Sequence, residues 1–159
     1  MDQNQYLNIL IESLANKIAI LDEIIGLNNR QSDLIGQEEF DMETFDQIVT
    51  LKAGLIEKLD LLDSGFEGIY DRIRQELALN KAKYVTEISE LQKLIARVTD
   101  QSASIQASEE RNRQKIEEYF RNIRASYKSA RVSVKAASTY YKAMSNLNTV
   151  DPQLMDKKK

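Results

Sequence analysis

The sequence predicts an all-α protein, an elongated antiparallel three-helix coiled-coil bundle with a long overhanging third helix. Three observations predict it. Apolar residues recur in alternating steps of three and four along most of the chain, the spacing that keeps one side of a helix against a neighbour. No glycine or proline stands between Gly68 and Pro152, so nothing in that stretch forces a helix to stop. Of 159 residues, 42% are apolar and 30% charged, with one proline and no tryptophan, a balance that suits long helices better than sandwiches or α/β enzymes.

The first helix is expected from about Gln5 to Asn28. Leu7, Ile11, Leu14, Ile18, Leu21 and Ile25 form its apolar stripe. Gly26, Asn28, Asn29 and Gly36 weaken its continuation, with Leu34 and Ile35 as a frayed extension.

The second helix has a marked start. Asp41 can cap with its carboxylate, and Phe40 and Phe45 flank it where a hydrophobic staple closes over the first turn. Phe45, Ile48, Lys52, Leu55, Leu59, Leu62, Phe66, Ile69 and Ile73 keep the heptad, broken only by Lys52. Two ends fit: a turn at Asp63-Ser64-Gly65 with Gly68, or a reversal around Asn80, because the apolar phase runs through the first of these unbroken.

Along the third helix the heptad positions are Tyr84, Ile88, Leu91, Ile95, Val98, Ser102, Ile105, Glu109, Asn112, Ile116, Tyr119 and Ile123. The row is aliphatic to Val98 and turns polar from Ser102. A helix from Tyr84 to Met144 would reach about 90 Å at about 1.5 Å per residue, well beyond the two shorter helices. Residues 1–111 are therefore expected to form the helical bundle body, and residues 112–159 a basic C-terminal partner-binding extension and tail. Charge divides at the same place: residues 1–110 hold 10 Lys/Arg against 21 Asp/Glu, and residues 111–159 hold 12 against 4.

In the extension the row continues through Tyr127, Ala130, Val134, Ala137, Tyr141 and Met144, flanked by Ser and Ala. Small residues beside a thin apolar row let another helix approach, and Tyr and Met add contact area. The candidate partner-binding residues are Tyr119, Ile123, Tyr127, Val134, Ala137, Tyr140, Tyr141 and Met144, with the tyrosines expected to bury little in the unbound chain. A helix closing a homodimer, or an amphipathic tail, remains the plainer reading of the same residues.

Chemistry is narrowly bounded. Histidine and cysteine are absent, which removes imidazole bases, thiol nucleophiles, disulfides and nearly all zinc chemistry. The adjacent pairs Glu38-Glu39, Glu109-Glu110 and Glu117-Glu118 diverge by about 100° on a helix and cannot make a paired acid/base site. No phosphate loop, nucleophile elbow or metal spacing occurs, so neither an enzyme nor a cofactor is expected. The start, Met-Asp-Gln-Asn-Gln, lacks the features of a secretory signal, no stretch suits a membrane span, and the cytoplasm is the expected location. Overall acidity and the lack of a recognition motif argue against nucleic acid, and the thin apolar row argues against stable membrane insertion.

Phe45-Asp46 with Lys52, Leu55-Ile56-Glu57-Lys58-Leu59-Asp60, Leu62-Asp63 and Gly65-Phe66-Glu67 resembles the second helix of FlgN-type flagellar export chaperones, particularly clostridial members. The ending from Val150-Asp151-Pro152 to Lys157-Lys158-Lys159 is similar to tails of that group. The resemblance implies a cytoplasmic chaperone that holds the helical C-termini of hook-filament junction (hook-associated) proteins and delivers them to the flagellar type III export gate, with its C-terminal part touching the cargo. The alternative is a self-associating coiled-coil spacer or assembly subunit, a homo-oligomer joined through the same segment.

Overall fold

A computed structural model describes residues 2–125 and 138–142 of the chain. It contains three long helices, α1 (Gln3–Ile35), α2 (Met42–Leu79) and α3 (Val85–Arg124), and a short helical segment at 138–142. The helices run up, down and up. Lys17 pairs with Asp63 and Gln31 with Lys52 across antiparallel α1 and α2, while Gln101 reaches Ile18 and Asn112 reaches Asn28 across parallel α1 and α3.

Both outer helices pack chiefly on α1. The sequence of α1 allows this because its apolar surface is wider than one stripe. Leu7, Leu14 and Leu21 form the middle row, with Leu10, Lys17 and Ile24 buried on one side, and buried Ile18 with half-buried Ile11 and Ile25 on the other. Asp2 caps the helix, accepting from the Gln5 amide at 2.9 Å while the Gln5 side chain accepts from the Asp2 amide at 2.9 Å.

The first helix runs past its expected end at Asn28 to Ile35. Gly26 does not stop it, and the polar residues beyond are buried against partners: Asn28 donates to Ser108 (2.9 Å), its carbonyl accepts from Asn112 (2.9 Å), and Gln31 accepts from Lys52 (2.6 Å). The second helix passes through Gly65 and Gly68 and ends at Leu79 with Asn80 as its cap, the later of the two expected reversals. Each helical glycine costs about 1 kcal/mol relative to alanine, less than the burial of Phe66, Tyr70, Ile73 and Leu77 returns at about 1.5–3 kcal/mol per large apolar side chain. Its start is as expected: the Asp41 carboxylate accepts from the Thr44 amide (3.0 Å) and hydroxyl (2.7 Å), and the Phe40 and Phe45 rings close over it at 5.4 Å.

Among the described residues the core has two apolar clusters. The larger joins Leu7, Leu10, Leu14, Leu21 and Ile24 to Leu59, Phe66 and Ile73 and to Leu91, Ile95, Val98 and Ile105. The smaller joins Leu34, Phe45, Ile48, Ile116 and Phe120. This second cluster carries α3 packing beyond Arg111, where the sequence placed the end of the body. The phase there is shifted as well: Phe120 is buried and Tyr119 only half-buried, the drift expected when a straight helix of 3.6 residues per turn is read with a strict period of 3.5. The segment 138–142 lies beside α3, since Tyr140 is within hydrogen-bond distance of Glu109.

Candidate functional site

Between the two apolar clusters lies a buried polar layer. Lys52, the one break in the α2 stripe, is fully buried. Its ammonium donates to Gln31 Oε1 of α1 and pairs with Glu109 Oε1 of α3, both at 2.6 Å. Tyr140, from the segment 138–142, completes the layer. Its ring lies under the Lys52 ammonium, 4.0 Å from centroid to nitrogen, and its hydroxyl donates to Glu109 Oε1 at 2.7 Å. One ion pair thus ties three helices and the distal segment together. Asn28, Ser108 and Asn112 widen the layer, Asn28 and Ser108 on the side of the larger cluster and Asn112 on the side of the smaller.

Burial sets the electrostatics of this layer. It pushes the Lys52 ammonium down from 10.5 to about 8 and the Glu109 carboxyl up, in each case against the opposing charge of the partner. Among the described residues, Glu109 Oε2, Gln31 Nε2 and Asn28 Oδ1 are buried without a hydrogen-bond partner. The same is true of the Tyr141 hydroxyl, whose ionisation burial and then the Glu109 charge push well above the ordinary range.

Beside this layer, the end of α3 and the segment 138–142 enclose a cleft of about 510 Å³. Ile116, Phe120 and Tyr141 give it an apolar wall, and Arg113, Arg121, Arg124 and Lys142 surround it with cations. Arg113 is engaged by Glu110 and Glu117, which hold its guanidinium charged and fix its orientation. An apolar wall with a basic rim accommodates an amphipathic helix bearing acidic residues. Among the described residues no group of three or more His, Cys, Asp or Glu side chains is placed to hold a metal, and no helix is long and apolar enough to cross a membrane.

The candidate partner-binding residues are only partly brought together. Tyr141 lines the cleft. Tyr119 packs against Phe40, with centroids 4.5 Å apart and the rings tilted by 47°, and so continues the staple at the start of α2. Ile123 is half-buried in the last turn of α3. Tyr127, Val134, Ala137 and Met144 lie outside the described residues. The expectation that Tyr140 and Tyr141 bury little in the unbound chain is corrected: Tyr140 is 4% exposed and Tyr141 is half-buried, because an ion pair in the core offers the first an acceptor and a cation. In the sequence Lys52 and Glu109 stand as separate breaks in two stripes. Their opposite charge was a visible signal, since Lys52 lies 28 residues before Asn80 and Glu109 28 residues after Lys81, so that a turn there brings them level.

No curated protein and no solved structure matches the chain. The family model described as FlgN protein matches residues 1–148, a span that takes in all three helices, the polar layer and the segment bearing Tyr140. A match over nearly the whole chain shows the family: the protein belongs to the FlgN family of flagellar type III export chaperones.

Proposed function

We propose that this chaperone works in the cytoplasm, holds the helical C-termini of hook-associated (hook-filament junction) proteins unassembled, and brings them to the flagellar export gate. Membership of the family carries the reading. The basic-rimmed apolar cleft at the end of α3 supports it, because that is where the chain offers contact area and charge suited to an acidic amphipathic helix. The proposed contacts are Tyr119, Ile123 and Tyr141 together with Tyr127, Val134, Ala137 and Met144. Tyr140 can join them only when its segment leaves the polar layer.

Calorimetry of the full chain against C-terminal segments of hook-associated proteins tests this. A defined complex is expected. A stable homo-oligomer that ignores every such segment would instead favour a structural spacer.

A further inference from the structure

Tyr140 comes from outside the three long helices and yet is one of the buried side chains of the bundle. The groups it touches remain paired without it, since Lys52 keeps both Gln31 and Glu109. It bridges α2 and α3, which pack chiefly on α1, so withdrawing it opens one side of the bundle without breaking the ion pair beneath. The seat it occupies is also incompletely satisfied. Among the described residues Glu109 Oε2, an acceptor, and Gln31 Nε2, a donor, are buried there without partners. Open buried groups of this kind favour any occupant that supplies what is missing.

We propose that this seat is a docking site for a helix of a partner protein, that residues 138–142 are its resident occupant, and that the partner enters by displacing them. The seat specifies the chemistry of the newcomer. It needs an aromatic ring to lie under the Lys52 ammonium and a hydroxyl to donate to Glu109, which is a tyrosine. It also rewards an amide side chain, which carries both the donor that Glu109 Oε2 lacks and the acceptor that Gln31 Nε2 lacks. The preferred partner is therefore an amphipathic helix with a tyrosine and, three or four positions away on the same face, an asparagine or glutamine. The inference rests on the reading that this chain binds a partner helix, and adds where the helix goes and what leaves.

The test uses the full chain, with Tyr140→Ala to empty the seat, and calorimetry with two probes: a synthetic peptide of residues 126–148 and the C-terminal segment of a hook-associated protein. The peptide should bind the Tyr140→Ala chain more tightly than wild type by roughly fivefold or more, the usual scale of coupling when a competing state is removed. Equal affinity, or no binding to either form, overturns the docking site. Tighter binding of the hook-associated segment to the variant supports displacement, whereas weaker binding makes Tyr140 a direct partner contact and overturns it. A hook-associated segment that binds neither form, while the peptide still prefers the variant, removes those proteins as cargo and leaves the seat standing. If Tyr140→Ala loses its cooperative melt, Tyr140→Phe, which keeps the ring and drops the hydroxyl, is read in the same way.

Discussion

Lys52 and Glu109 oppose each other at 2.6 Å with almost no water in reach, so their energetics depend on each being present. Lys52→Met leaves a carboxylate uncompensated and should cost about 3–5 kcal/mol near neutral pH. That loss should depend on pH in a fixed direction. The folded-state pKa of Glu109 is already raised, and removing the ammonium raises it further; above the unfolded value of 4.5 the folded protein then binds more protons than the unfolded one. Stability of Lys52→Met should therefore recover as pH falls from 7 toward 4.5 and decline as it rises, read from melts across that range. Replacing the layer as a unit, with Lys52→Met, Glu109→Leu, Gln31→Leu and Tyr140→Phe, removes every partner together and should be neutral or stabilising by up to about 4 kcal/mol. A quadruple variant less stable than Lys52→Met alone would show that the layer contributes more than its ionic terms.

Helix α3 illustrates both what periodicity conveys and where it stops. Leu91, Ile95 and Val98 are buried as the stripe predicts, but a polar seam beyond Ser102 looks like the end of a core when it is a change in what the core is made of. Ser102, Glu109 and Asn112 are as buried as the aliphatic residues around them, because polar residues on α1 and α2 face the latter two. Hydropathy along one helix cannot report that match; only pairing between helices can. The packing resumes at Ile116 and Phe120, and a comparison of truncations should register it. A chain ending after Ala125 keeps the smaller cluster, whereas one ending after Arg111 strips Leu34, Phe45 and Ile48 of two large partners. The shorter truncation should be less stable by about 1.5–3 kcal/mol for each lost side chain, measured by denaturant melts. Equal stability would mean that the cluster adds nothing.

At the level of the whole molecule, the three-helix order and the capped start of α2 were legible because caps, staples and stripes are local signals. The seat of Tyr140 was not, since that side chain meets Glu109 and Lys52, 31 and 88 positions away in sequence, and stands one position off the apolar row of its own segment, which runs through Tyr141. Charge division was legible too, with the acidic excess before residue 111 and the basic excess after it. If the basic end docks an acidic surface, association should slow as salt rises from low to physiological levels, because exposed charges are screened over about 8–10 Å. An on-rate indifferent to salt would assign those cations to solubility. The polar layer has one more consequence, in reactivity. An amine that loses its proton near pH 8 is a far better nucleophile at neutral pH than an ordinary lysine, but Lys52 is shielded while Tyr140 covers it. Opening the seat would put the Lys52 amine in contact with solvent, so acylating reagents should mark Lys52 slowly in the free protein and faster in Tyr140→Ala, as mass spectrometry of the labelled peptides would record.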